Sequence, residues 1–164
     1  MGLPSAYIGG VHKGAIPMTA SLAAQYIRSK GVRPTKEEYG TFLRWVTVRF
    51  NRIRHLVDFT EKEVDPQMML IHWDLWGRLL VSTAHNKHPH WLPFMNAWFR
   101  AVHDWDHVIW GHGFDMEGET QAYLQSASTA PESIRWILYS EVVLQAAASI
   151  HTGEFQRQKL VKLS

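Results

Sequence analysis

Apolar residues in this chain recur every three or four positions, and this period constrains the fold more than any other feature of the sequence. It is clearest between Tyr39 and Val57, where the large apolar residues form one stripe when wound into a helix. Thr35 and Glu38, just before the stripe, have the spacing of a capping box, which predicts a helix start. No stretch alternates polar and apolar residues strongly enough to predict a strand. We therefore expect an all-α fold.

Cap residues, prolines and glycines indicate where further helices begin and end. Asp65 and Pro66 predict one helix start, and Gly111 predicts a helix end. Residues 1–18 are rich in glycine and small residues without any period, which predicts an irregular N-terminal arm. We expect residues 19–164 to form a single-domain bundle of about five helices. Besides the stripe already described, the expected helical segments are about 19–30, 66–84, 93–110, 116–126 and 131–151.

Composition limits both the compartment and the chemistry. A hydrophobic content of 46% with 20% charged residues is that of a globular protein rather than a disordered one. No uncharged apolar run reaches about 18 residues, and the first residues lack a signal-peptide core, so we expect a cytoplasmic protein without membrane spans. The chain has no cysteine. Disulfides and thiolate ligands are therefore excluded, which leaves His, Asp and Glu as the strong metal ligands.

One pair of histidines carries the clearest chemical pattern. His103 and His107 are four residues apart, so on a helix their rings lie one turn from each other on the same face and can bind one metal ion. Glu141 falls within the apolar stripe of the last expected helix. Burying an ionised carboxylate commonly costs several kcal/mol unless a cation or strong donors meet it. We therefore predict that His103, His107 and Glu141 bind a divalent metal together.

Acidic residues near the pair extend this candidate site. Glu119 follows a turn bounded by glycines, and we expect it to be a fourth ligand or a catalytic base. Asp104, next to His103, is a second candidate catalytic residue that would support the ligands. Arg100 lies one turn before Asp104 and is expected either to bind a substrate anion or to pair with that acid. A hydrogen-bonded network of these histidines and glutamates without metal would satisfy the same burial argument.

A longer pattern runs through the second half of the chain, where NAWFRAVHDWDH is followed by GHGFDMEGETQAY and later by SEVVLQAAASIHTGEFQRQKLVKL. Over roughly residues 90–162 it resembles a family of uncharacterised phage and prophage proteins with the pattern N-x-x-FRAVHD-x-x-GH, then GF-x-x-x-GE-x-x-A and a later glutamate. The chain departs from that pattern at Asp106, which replaces a glycine, and by one residue fewer between the histidines. The matching positions are Asn96, Phe99, Arg100, His103, Asp104, His107, Gly113, Phe114, Gly118, Glu119 and Glu141.

The resemblance implies a phage protein with a site at these residues, but it implies no particular reaction. The order of two helical histidines and a later helical glutamate is also similar to the iron ligands of the aromatic amino acid hydroxylases, an analogy of ligand type alone. The first functional hypothesis is therefore a metal-dependent enzyme that acts on a small molecule. It would be oxygenase-like with Fe(II) or hydrolase-like with Zn.

Two other functions remain open at this stage. A structural or accessory phage protein would use the histidines and glutamates only to stabilise its core. A nucleic-acid-binding module would use basic side chains to contact phosphates, although a solvated helix face explains the same residues. The oligomeric state is left open. The relevant bases are Arg44, Arg49, Arg52 and Arg54 on the first long helix and Arg157, Lys159 and Lys162 in the tail.

Overall fold

The computed structural model describes the backbone of residues 15–164 and the side chains of residues 18–164. It is predominantly helical, so the prediction of an all-α fold is confirmed. The elements in chain order are α1 (Ala15–Arg28), α2 (Lys36–Ile53), β1 (Val57–Thr60), α3 (Pro66–Trp76), β2 (Leu79–Ser82), α4 (Pro93–Trp110), α5 (Met116–Thr129), α6 (Arg135–Leu138) and α7 (Gln145–Thr152). Short 3₁₀ turns span Arg54–Leu56 and Glu132–Ile134, and a π-helical segment, Tyr139–Leu144, joins α6 to α7.

Contacts divide the chain into two compact units. One contains residues up to Arg33 together with Gly113–Ser164, and the other is Pro34–His112. The single domain expected for 19–164 stays a prediction. Most of the expected arm lies outside the described residues, but α1 begins at Ala15 and so includes the last positions assigned to that arm.

Helix α2 begins as predicted. The Thr35 hydroxyl accepts a hydrogen bond from the Glu38 amide (3.1 Å), and the Glu38 carboxylate accepts one from the Thr35 amide (2.9 Å), which completes the capping box. The apolar stripe of α2 is buried, with Phe42 and Val46 fully inaccessible to solvent, and α2 packs along α4. The stripe ends earlier than expected, because Val57 belongs to β1 rather than to the helix.

The segment after Asp65 corrects the prediction of one long helix over 66–84. Asp65 caps α3 as expected, but Gly77 adopts a left-handed conformation (φ 60°) and ends the helix. Residues 79–82 then form β2, in which Leu79 and Val81 are buried and alternate with partly exposed neighbours. β1 and β2 are parallel, with Val57 opposite Leu79, and α3 is the crossover between them. Thr60 ends β1.

Helix α4 has the predicted bounds. Pro93 occupies its first turn, where the missing amide costs no hydrogen bond, and Gly111 ends it in a left-handed conformation (φ 68°). In the other unit, α1 packs against α7 around a core that includes Ala23, Tyr26 and Leu144. The last helices run from Arg135 to Thr152, close to the expected span of 131–151. Among the described residues no helix is long and apolar enough to cross a membrane.

Candidate metal centre

The two histidines of α4 face each other, as their spacing implies. Their Nε2 atoms lie 3.0 Å apart, and the ring planes are nearly perpendicular (88°) with centroids 4.5 Å apart. His107 is only 2% exposed, whereas His103 is partly buried. Each ring therefore directs the same nitrogen toward one point beside α4.

The protonation of the His107 ring follows from its other contact. Its Nδ1 lies 2.9 Å from the main-chain oxygen of His112. A carbonyl oxygen can only accept a hydrogen bond, so Nδ1 carries the proton and donates it. In the neutral ring Nε2 then bears a lone pair, which points toward His103. Metal-binding histidines commonly have this arrangement, in which a hydrogen bond to the far nitrogen orients the ring.

The turn after α4 produces this contact. The amide of Gly111 donates to the His107 carbonyl oxygen, and the amide of His112 donates to the same oxygen at 3.1 Å. Gly111 can adopt the positive φ of this turn without strain because it has no side chain. The chain then reverses and places the His112 carbonyl against the His107 ring. Gly111 thus both ends the helix and orients its last histidine.

The start of α5 holds Glu119 in a buried position. The Asp115 carboxylate caps the helix by accepting a hydrogen bond from the Gly118 amide (2.8 Å). A side chain at Gly118 would overlap the main chain of Gly113, so only glycine allows this close approach. Glu119 follows directly in the first turn of α5 and is 8% exposed, whereas Glu117 in the same turn is exposed.

Together, His103, His107 and Glu119 form a group that can hold a metal ion. Each offers one ligand atom, and these atoms all lie within 4.8 Å of one another. Among the residues that the structure describes, no other set of three or more histidines and acids meets this condition.

The distance between the two imidazoles fits a metal site. Two nitrogens at about 2.0–2.1 Å from one ion, at a right angle, are about 2.9 Å apart. The observed 3.0 Å is therefore compatible with neighbouring positions around one ion. It is also compatible with a hydrogen bond in which one ring donates to the other. The geometry thus admits a metal site and a metal-free pair alike.

Glu141, the third predicted ligand, does not belong to this group of three. It lies in the π-helical segment and is half-buried. Burial, followed by the negative charge of Glu141, raises the pKa of the Tyr26 phenol. A π turn changes the angular spacing of residues, which a regular 3.6-residue projection of the sequence does not represent. The role of Glu141 as a ligand stays a prediction.

Arg100 and Asp104 also have defined positions. The Arg100 guanidinium donates hydrogen bonds to the main-chain oxygens of Ser82 (2.6 Å) and Ala84 (2.8 Å), and so fastens the loop after β2 to α4. Asp104 follows His103 on α4 and is partly buried. The expected roles of Arg100 in substrate binding and of Asp104 in catalysis stay predictions.

An ion pair next to His107 was missed from the sequence. Asp106 is fully buried and accepts two hydrogen bonds from Arg49 of α2, at 2.7 and 3.1 Å. Arg49 also lies over the Trp45 ring, 5.1 Å from its centre. Asp106 could have been found, because it falls seven residues after Phe99 on the buried face of α4. Arg49 is one of the bases considered for nucleic acid binding, and its guanidinium is bound to Asp106. Nucleic acid binding stays a prediction.

No family model, no curated protein and no solved structure matches this chain.

Proposed function

We propose that this protein binds one divalent transition-metal ion through Nε2 of His103, Nε2 of His107 and a carboxylate oxygen of Glu119. The observation that carries the proposal is the pair of Nε2 atoms, which lie 3.0 Å apart while the His112 carbonyl holds the proton of His107 on Nδ1. Two imidazoles and one carboxylate are the protein ligands of many non-haem Fe(II) sites and of some catalytic zinc sites.

Charge supports the same conclusion. Glu119 is 8% exposed, and its carboxylate would bring a negative charge and a hard oxygen ligand to an ion held by the two imidazoles.

We further propose that the site is catalytic and acts on a small molecule. Three protein ligands leave room for a water molecule or a substrate, which the bound ion would polarise. The protein itself orients the His107 ring by a hydrogen bond to the His112 carbonyl. It positions Glu119 in the first turn of α5, which Asp115 caps through the Gly118 amide. Asp104, the residue after His103 on α4, is a proposed catalytic residue that would support the ligands. Oxygenase-like chemistry at Fe(II) and hydrolase-like chemistry at Zn both suit this ligand set.

The test uses two glutamates in one helical turn. Wild-type protein, Glu119→Gln and the matched control Glu117→Gln would be freed of metal with a chelator, and Fe(II), Mn(II) and Zn(II) binding would then be measured by calorimetry and elemental analysis. We expect about one ion per chain in the wild type and in Glu117→Gln, and weaker binding of at least about tenfold in Glu119→Gln. Equal binding by all three proteins, or none by the wild type, would reject the site.

A metal-free structural role is the second candidate. It is favoured by the fact that 3.0 Å between two ring nitrogens is also a hydrogen-bond distance. In that case His103 donates to His107, and Glu119 completes a buried polar network that stabilises the fold. Thermal unfolding separates the two functions. A bound ion raises the melting temperature, and the rise grows with the logarithm of the free ion concentration above the dissociation constant, whereas a metal-free network leaves the melting temperature unchanged when Zn(II) or chelator is added.

A further inference from the structure

Trp45 of α2 carries a buried hydrogen-bond donor that the described part of the chain does not satisfy. The residue is 8% exposed, and its indole Nε1 is shielded from solvent and has no acceptor among the described residues. Arg49 lies over the face of the ring, 5.1 Å from its centre, and the Phe42 ring is 6.3 Å away. Neither contact uses the N–H group. Buried polar groups in folded proteins nearly always have a partner, so such a donor indicates that a bound molecule accepts its hydrogen bond.

Two contacts between α2 and α4 show where Trp45 lies along α4. The Phe42 ring is 5.4 Å from the Phe99 ring, and Arg49 binds Asp106. Both pairs are separated by 57 residues in the sequence, so the two helices run parallel and keep one register. Trp45 is therefore within one residue of the level of the first histidine of the metal site, which is about 1.5 Å along the helix axis.

The side on which Trp45 lies follows from the angular spacing of an α-helix, about 100° per residue. Trp98 of α4 stacks on Phe50 of α2, with ring centres 4.8 Å apart, and this pair marks one flank of the contact between the helices. On α4, His103 and His107 are turned from the contact in the direction opposite to Trp98. On α2, Trp45 is turned in the direction opposite to Phe50. Trp45 and both histidines therefore share the other flank, which places the indole beside the proposed metal site.

We propose that the indole N–H of Trp45 donates a hydrogen bond to a carboxylate oxygen of the substrate, and that this carboxylate occupies the open position of the metal ion. The inference rests on the proposed metal site and names the class of its substrate, a small carboxylic acid. An indole N–H can only donate, so it favours an atom that only accepts, as a carboxylate oxygen does. Three protein ligands leave room at the ion for such an oxygen.

Charge favours an anionic substrate at this position. A divalent ion with two neutral imidazoles and one carboxylate keeps one net positive charge. A substrate carboxylate cancels that charge, which lowers the cost of holding the ion away from water. The nearby guanidinium of Arg49 is bound to Asp106, so its charge is already balanced within α2 and α4.

The first measurement follows the indole N–H of Trp45 directly, with acetate as the probe. The tryptophan side-chain signals of ¹⁵N-labelled wild type loaded with Zn(II) would be assigned by NMR and recorded as acetate is added. We expect the Trp45 proton to shift downfield and to reach an end point, because a hydrogen bond to a charged oxygen deshields it. The same signal should not move when acetate is added to metal-free protein.

The second measurement compares two buried tryptophans of the same unit. Trp45→Phe removes the N–H and keeps an aromatic ring, so we expect the acetate dissociation constant of the Zn(II)-loaded variant to rise by about tenfold, with unchanged Zn(II) affinity. The matched control is Trp91→Phe, since Trp91 is 4% exposed and its Nε1 donates to Asn96 at 3.3 Å. This control should bind acetate as the wild type does. Circular dichroism would verify that both variants are folded.

The outcomes separate this inference from the metal site on which it rests. A Trp45 signal that acetate does not move, or moves equally without Zn(II), would overturn the inference, and so would equal acetate binding by the wild type and Trp45→Phe. In each of these cases Zn(II) binding by the wild type would leave the metal site standing. A wild type that binds no Zn(II) would reject the metal site and this inference together.

Discussion

Two regions of this protein are rich in histidine, and they are built in opposite ways. On α4, His103 and His107 direct their Nε2 atoms toward each other at 3.0 Å, and His107 is almost fully buried. In the loop after β2, His85 is exposed and pairs with the exposed Glu63 at 2.7 Å, while the ring of His88 stacks on Trp91. The loop has more histidines, but the described residues show no metal-holding group there.

The difference teaches that the number of potential ligands is a poor guide to a site. In the helix, a spacing of one turn sets the two rings side by side, and a main-chain hydrogen bond from His112 orients the His107 ring before any ligand arrives. In the loop, each histidine has a different partner, so bringing them to one ion would first require those contacts to break. Preorganisation lowers the cost of binding, and only the helical pair has it.

The largest expected effect comes from replacing single histidines by alanine in each of the two regions. His107→Ala removes a ligand nitrogen, so we expect stoichiometric metal binding to be lost in a chelator-competition assay. His85→Ala and His88→Ala should bind like the wild type. If the loop variants lose the metal while His107→Ala keeps it, the metal binds to the loop histidines and not to the pair on α4.

The second prediction concerns the ion pairs of the two regions. Asp106→Ala leaves Arg49 without its buried partner, and we expect the free energy of unfolding in denaturant to fall by about 3 kcal/mol. Because 21% of the Arg49 side chain is exposed, water relieves part of the cost and the loss should be at the lower end of the usual range. Glu63→Gln breaks the exposed pair in the loop and should leave the unfolding midpoint nearly unchanged. Equal losses in both variants would contradict this distinction.

A glycine substitution tests whether the position of Glu119 depends on the close contact between Gly118 and Gly113. Gly118→Ala forces a side chain against the main chain of Gly113, so we expect a loss of about 1–3 kcal/mol in stability, together with weaker metal binding. The matched control is Gly40→Ala, in the second turn of α2. There the added carbon meets only the tip of Arg44, and alanine should stabilise the helix by up to about 1 kcal/mol. A neutral Gly118→Ala would show that Glu119 does not depend on this contact.

The smallest expected effect is a titration in the loop. The hydrogen bond from His85, followed by its charge, holds the pKa of the Glu63 carboxyl below its usual value. A lowered pKa stabilises the fold above the pKa of the unfolded chain, and this contribution disappears as the pH falls through the pKa of the folded form. His85→Ala should return the pKa of Glu63 toward its ordinary value, as followed by carboxyl carbon NMR. An unchanged titration curve would mean that this pair does not form in solution.

The helical elements of the fold could largely be predicted, because their ends depend on local chemistry. Thr35 and Asp65 cap the helices that they were expected to begin, and Gly111 ends α4 as expected. The strands could not be predicted, since β2 has only four residues and its leucines also suit a helical period. A parallel partner more than twenty residues away is a non-local contact that no local pattern reveals.

The candidate site was predictable to a different degree for each residue. The spacing of His103 and His107 determines their relative position on a helix, so the pair could be identified from the sequence. Glu119 could be selected as an acid after a glycine turn, but its burial depends on the tight fit of Gly118 against Gly113. Asp106 lies on the apolar face of α4, as Glu141 was expected to lie on that of the last helix. An acid at such a position requires a partner, so a buried ion pair at Asp106 could have been predicted in the same way.

The most direct test is to follow the ring nitrogens of all the histidines by ¹⁵N NMR while one equivalent of Zn(II) is added to the metal-free protein. We predict that the Nε2 signals of His103 and His107 shift together and reach an end point at one ion per chain. The Nδ1 proton of His107 should remain in place, and His85 and His88 should not respond. Unchanged signals from the helical pair, or loop histidines that respond first, would contradict the proposed metal centre.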